Sequence, residues 1–165
     1  MLKSSLKIGV LACSLSLAGF DIGNAEEPSH FSFSTGWFDF NDNVESVDFR
    51  FEYRSNYKIL SFLKPWAGVE ANSDGALYPL AGVLTDVYFG RRWVLTPSFG
   101  AGIYARHDSK DLGSDFEFRS QLELGYRFDD WSRLSLAISH ISNAGLSNTN
   151  PGTEILSVYY HLPIR

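Results

Sequence analysis

The sequence predicts an all-β protein, an eight-stranded antiparallel transmembrane β-barrel, on three observations. Apolar and polar residues alternate with a period of two, the repeat of a strand whose faces differ. Eight segments carry this pattern, an even number, and no amphipathic helix interrupts them. The polar face mixes charges of both signs, as in Glu117, Arg119, Glu123 and Arg127, which suits a narrow lumen filled by paired side chains.

The chain of 165 residues holds one domain's worth of structure. Residues 1–25 read as a cleaved signal peptide. Lys3 and Lys7 supply a positive start, Ile8 to Phe20 an apolar run, and Gly23-Asn24-Ala25 a small-residue cleavage site before Glu26. The run is too short to span a bilayer as a helix. A lipoprotein signal ending at Cys13 would leave only Ile8 to Ala12 as its apolar core, which is shorter still. Cleavage removes the single Cys, so the mature barrel, residues 26–165, forms no disulfide. It keeps 12 basic and 18 acidic residues, a net charge of −6. No basic run or patch offers a surface to nucleic acid.

In chain order the expected strands are Phe31–Phe38, Ser46–Arg54, Ile59–Glu70, Ala76–Phe89, Arg92–Arg106, Asp115–Phe128, Trp131–Ser142 and Thr153–Pro163. In the second, Val47, Phe49, Phe51 and Tyr53 oppose Asp48, Arg50, Glu52 and Arg54. The fifth sets Trp93, Leu95, Phe99 and Ile103 against Thr96, Ser98, Gly100, Gly102 and Arg106. The sixth is the clearest: Phe116, Phe118, Leu122, Leu124, Tyr126 and Phe128 share one parity, interrupted only by Ser120. Trp37, Trp66, Trp93 and Trp131 fall near strand ends, as in the aromatic girdles of membrane barrels. Gly90-Arg91 and Asp129-Asp130 make tight connections, whereas His107–Ser114 and Asn143–Gly152 are longer. Outer-membrane barrels place short turns in the periplasm and longer loops outside. With the N-terminus periplasmic, the last hairpin sits at the outer leaflet. A soluble lipid-binding barrel would turn the apolar face inward around a ligand. The mixed-sign polar face, strands of about ten residues and the leader favour the membrane form.

The chemistry-bearing stretch is the last hairpin. His140 and Ser142 are two residues apart on one strand and share the parity of Leu134, Leu136 and Ile138. Glu154 begins the return strand on the face of Leu156, Val158, Tyr160 and Leu162. Folding the Asn-, Gly- and Pro-rich connection brings Glu154 beside His140. A serine hydroxyl becomes a nucleophile when an imidazole takes its proton, and a carboxylate holds that imidazole in place. Three polar groups on an apolar face also demand mutual satisfaction. The other residues carry plainer readings. His30 lies near the mature terminus, His107 begins a loop and His161 has the opposite parity, so no metal-ligand cluster and no cofactor motif forms. Asp86 and the charges of Asp115–Phe128 read as lumen ion pairs, and the glycines at 36, 68, 82, 100, 102 and 125 as close packing or bends.

The order His140-x-Ser142-Asn143 with Glu154 twelve residues after the serine resembles the lipid A 3-O-deacylase (PagL) family of outer-membrane enzymes. His-Ile-Ser-Asn-Ala-Gly and Asn150-Pro151-Gly152 are similar to that family as well. The resemblance spans the mature chain in size and strand pattern, and is specific over Ser139–Glu154. It implies hydrolysis of the ester-linked acyl chain at position 3 of lipid A in the outer leaflet, releasing a 3-hydroxy fatty acid. It implies His140 as general base, Ser142 as nucleophile and Glu154 as orienter, with Asn143, Gly145 and Asn150 supporting the oxyanion. The implied partners are lipid A or lipopolysaccharide as substrate and the lipid of the outer membrane; whether a homodimer forms is left open. The chain departs from many outer-membrane barrels by ending Leu162-Pro163-Ile164-Arg165, without a final aromatic residue. The competing functions are an outer-membrane phospholipase A and a non-catalytic structural or lipid-binding barrel. The phospholipase resemblance is weaker because that family has an amide in place of Glu154, a larger barrel and calcium.

Overall fold

A computed structural model describes residues 27–164; the expected signal peptide at 1–25 lies outside the described residues. Nine strands form one closed antiparallel sheet: β1 Ser29–Phe38, β2 Ser46–Arg54, β3 Lys64–Asn72, β4 Leu77–Leu84, β5 Val87–Phe89, β6 Trp93–Ile103, β7 Phe116–Arg127, β8 Arg133–Ser142 and β9 Thr153–Ile164. β1 pairs with β9, and β4 and β5 both pair with β6, which closes the barrel. β4 and β5 are two parts of one stave, so the barrel has the eight staves that the alternation predicts.

Strand ends shift by a few residues from the sequence expectation, and two larger departures have identifiable causes. The segment Ala76–Phe89 is broken at Thr85-Asp86, opposite Pro97 of β6. Proline has no N–H to donate to that ladder, and the bond that survives runs from the Thr85 N–H to the Pro97 carbonyl. Asp86 is turned to Lys64 and Arg133 instead. The third strand starts at Lys64 rather than Ile59, because Leu60 and Ser61 hold positive φ angles (51° and 70°) and Ile59 closes a small turn onto Leu63. The resulting 55–63 connection shares an end with the short 90–92 and 128–132 turns, so loop length does not alternate strictly. The opposite end carries the 39–45, 73–76, 104–115 and 143–152 loops.

The parity reading holds. Phe49, Phe51, Leu122, Leu124, Leu134, Leu136, Ile138, Leu156 and Val158 are exposed around the outside, while their polar neighbours point inward. Inside, charges are shared among partners. Arg50 pairs with Asp48 (2.8 Å) and Glu70 (2.9 Å). Arg54 bridges Glu52 and Glu123 (2.9 Å each), and Arg119 bridges Glu70 (3.0 Å) and Glu52. His161 is buried between Ser32, Ser135 and Glu123. Such groups are tolerable in a lumen because each of these charges meets an opposite one; Glu117, also buried, has no such partner among the described residues.

Trp66 corrects the girdle expectation. Trp37 and Trp93 are half exposed on the outer wall, but Trp66 is buried in the lumen beneath the Arg119 guanidinium, 4.5 Å from its ring centre. Gly100 makes the room: a Cβ there would lie 2.6 Å from the indole.

Candidate active site

β8 and β9 pair with His140 directly opposite Glu154, and both side chains take the outward parity of their strands. The His140 Nδ1–H donates to Glu154 Oε1 at 2.9 Å. With that proton assigned to Nδ1, a neutral ring keeps its Nε2 lone pair as an acceptor. The two side chains are 46% and 35% exposed, so the pair is reached from outside the barrel wall and not through the lumen. Apolar neighbours flank it: Ile138 precedes His140 on that face, and Leu156 follows Glu154.

Ser142 ends β8 on the same outward parity, opposite Phe118 of β7. Alternate residues of a strand are roughly 6–7 Å apart, and no hydrogen bond joins the Ser142 hydroxyl to the imidazole among the described residues. The structure thus links His140 and Glu154, and leaves Ser142 as the next outward side chain on β8. Another hydroxyl also lies near. Ser120, the single polar interruption in the apolar parity of β7, is directly across from His140 on the side away from Glu154.

The 143–152 loop is built around Asn143, which is fully buried. Its side-chain amide donates to the carbonyls of Leu112 (2.9 Å) and Thr149 (2.8 Å). Its Oδ1 accepts from the Gly145 N–H, and its own N–H donates to Asn150 Oδ1, both at 3.0 Å. Asn143, Gly145 and Asn150 therefore form one hydrogen-bonded unit that shapes the chain immediately after Ser142.

Comparison with known proteins bears on this arrangement. The sequence model of the family described as lipid A 3-O-deacylase (PagL) matches residues 27–163, the whole barrel. The chain belongs to the lipid A 3-O-deacylase (PagL) family. Its similarity to individual PagL proteins is more local. It is 33% identical over 73 residues to the lipid A deacylase PagL of Bordetella bronchiseptica, covering 43% of this chain and 41% of that one. It is 33% identical over 69 residues to the lipid A deacylase PagL of Pseudomonas aeruginosa, covering 39% and 40%. These matches span about two-fifths of each relative's length. In fold, the chain superposes on the crystal structure of the outer membrane enzyme PagL with a TM-score of 0.62 at 18% identity, over 82% of this chain and 99% of that one. A de novo designed transmembrane β-barrel gives 0.53 at 14% identity, covering 82% and 96%.

Two further residues of this PagL-family chain shape the site. Gly152 has a positive φ of 67°, and a Cβ on it would meet His140 Cε1 at 2.8 Å. Its signal in the sequence was the Asn-Pro-Gly turn, with no hint that the imidazole lies against it. Gly152→Ala is expected to displace the imidazole and strain the turn. Any hydrolysis that depends on His140 should fall by at least roughly tenfold, while the barrel still folds. The check is hydrolysis rate at equal folded concentration, and full activity in this variant would contradict the packing described. Asp39, which the sequence did not single out, is buried with a positive φ of 56°. It accepts from Thr153 Oγ1 (2.8 Å) and from Lys110 (2.6 Å), and the next N–H, Phe40, donates to the Glu154 carbonyl (3.4 Å). The 39–45 loop thereby pins the start of β9. Lys110 also hydrogen-bonds Asp42, which holds that carboxyl below its usual value.

Proposed function

We propose that this chain is a lipid A 3-O-deacylase of the bacterial outer membrane, a serine esterase that works from the lipid-facing wall of the barrel at the outer leaflet. The observation that carries the reading is the His140–Glu154 hydrogen bond of 2.9 Å on the outward face, one strand position from Ser142 on that parity. An imidazole and a carboxylate on an apolar wall are costly, and residues retained there mark function more often than structure. Family membership supplies the reaction class.

In this reading Ser142 Oγ attacks the acyl carbonyl as His140 Nε2 takes its proton. Glu154 holds the ring and stabilises the imidazolium. The loop braced by Asn143, Gly145 and Asn150 supports the negative oxygen of the tetrahedral intermediate. Collapse breaks the ester bond; His140 returns the proton to the sugar oxygen, which leaves as an alcohol. Water then hydrolyses the acyl-serine by the reverse proton path, releasing the 3-hydroxy fatty acid. The acyl chain approaches sideways from the bilayer past Phe118 and Ile138, with no pore to enter.

Glu154 is expected to matter less than the other two. Glu154→Ala should lower turnover by roughly ten- to a hundredfold, because the orienting group exchanges no proton. Glu154→Gln should lose less, since an amide oxygen still accepts from Nδ1–H. The measurement is release of 3-hydroxy fatty acid from lipid A in detergent micelles, with and without a calcium chelator. Chelator-insensitive release supports the deacylase. Calcium-dependent cleavage of phospholipid with lipid A left intact would overturn it in favour of a phospholipase.

A further inference from the structure

The connection between β2 and β3, residues 55–63, lies at the end of the barrel away from the His140–Glu154 pair. Its sequence, Ser-Asn-Tyr-Lys-Ile-Leu-Ser-Phe-Leu, holds one charge, Lys58, and no carboxylate. The other turns at that end are polar: 90–92 is Gly-Arg-Arg, and 128–132 carries Asp129 and Asp130. In the 55–63 connection, Tyr57 (70%), Ile59 (40%), Leu60 (73%) and Phe62 (48%) are all exposed. Single exposed apolar side chains are ordinary, whereas a cluster of large ones marks a surface that something covers.

The cluster is held in shape by the backbone. Ile59 and Leu63 exchange both of their N–H bonds, at 2.6 and 3.0 Å, and close a tip of Leu60-Ser61-Phe62. Leu60 and Ser61 take the left-handed φ angles of that tip (51° and 70°). Glycine or asparagine would sit there with less strain, so the leucine side chain is presented at a backbone cost.

Two observations identify what covers it. The first is continuity with the lipid-facing wall. Phe31, Phe51 and Tyr53 are exposed on that wall with their rings in contact. Tyr53 Oη donates to Ser29 Oγ (3.3 Å), and Ser29 donates to Asn56 Oδ1 (3.1 Å) at the root of the connection. The second is the accounting of backbone donors. The N–H groups of Ser55, Asn56 and Tyr57 donate to the Pro65 carbonyl, Ser29 Oγ and Ser55 Oγ, and those of Ile59 and Leu63 to each other's carbonyls. A loop whose donors are met within the protein can enter the water-poor boundary between head groups and acyl chains; one that depends on water cannot.

We propose that the 55–63 connection is a membrane anchor, whose Ile59, Leu60 and Phe62 side chains enter the head-group boundary of the leaflet opposite the one that the His140–Glu154 pair faces. It extends the lipid-covered surface beyond the strands and holds this rim of the barrel at its leaflet. The anchor depends on the lipid-facing wall alone, and its test is independent of any hydrolytic activity.

The test places single thiols in the full chain with Cys13 replaced by serine, expressed to the outer membrane and transferred to phosphatidylcholine nanodiscs, whose two faces are both open to water. Leu60→Cys and Phe62→Cys are compared with Arg91→Cys in the polar turn at the same end. Spin labels at 60 and 62 should collide more often with oxygen than with a water-soluble nickel chelate, and a label at 91 the reverse. Without labels, the thiols at 60 and 62 should react with a charged maleimide at least roughly tenfold more slowly than the thiol at 91, because a thiol in an apolar layer keeps its proton. Positions 60 and 62 as open to the chelate and the maleimide as position 91 would overturn the anchor. Dipolar broadening between labels at 60 would show that a second copy of the chain covers the tip, and would overturn it as well.

Discussion

Ser142→Ala is expected to lower ester hydrolysis by at least about a thousandfold while the barrel folds as before. In the proposed mechanism the nucleophile is Ser142, and two nearby hydroxyls are the alternatives that its removal tests. Ser139 points into the lumen, where it accepts from Arg50 at 3.0 Å. Ser120 lies across from His140 on the strand away from Glu154, and is the alternative to exclude. Removing one hydroxyl from a half-buried outward position at a strand end should change stability by less than about 0.5 kcal/mol. His140→Ala should lose nearly as much activity, since the groups of a triad act as a unit. Rates at equal folded concentration decide it. Full activity in Ser142→Ala together with none in Ser120→Ala would move the nucleophile to β7.

The second large effect is on stability. Arg119 is buried, ion-paired to Glu70 at 3.0 Å and to Glu52, and stacked on Trp66. Arg119→Met keeps much of the side chain's bulk but strips two buried carboxylates of a shared partner. Arg50 and Arg54 retain contacts to Glu70 and Glu52 and soften the loss. The expected cost is about 3–5 kcal/mol, read as a fall in the urea midpoint for the folded barrel in detergent. The double variant Arg119→Met, Glu52→Gln should recover part of it, because it removes one orphaned charge. A stability within experimental error of wild type would mean that the lumen network is not what holds the staves together.

How much of this was legible in the sequence depended on the range of the interaction. Strand parity is a local property, and a one-residue error would move every side chain to the other face. That is why the outward placement of His140, Ser142 and Glu154 and the inward placement of Glu117, Arg119 and Glu123 could be read directly. The hairpin then set His140 opposite Glu154, because both lie close to one turn in the chain. Features that depend on distant partners could not be read. Trp66 reads as a girdle residue in the sequence, because Gly100, more than thirty residues away, is what provides a slot for it inside. The break at Thr85-Asp86 is caused by Pro97 on the next strand, and the positive φ angles at Leu60 and Ser61 carry no glycine signal. Asp39 holds Thr153 across 114 positions of sequence, and only closure of β1 onto β9 brings them together. Ser120 was visible as a flaw in an apolar stripe, but its position beside His140 needed the register of β7 and β8.

In the proposed reaction an outward-facing serine on this barrel removes one acyl chain from lipid A. It is tested most directly by mass spectrometry of lipid A from Gram-negative cells expressing this chain or its Ser142→Ala variant at matched outer-membrane levels. A lipid A lighter by a single 3-hydroxyacyl group is expected with the wild-type chain, and unmodified lipid A with the variant. Unmodified lipid A in both, with the wild-type barrel folded in the outer membrane, would contradict it.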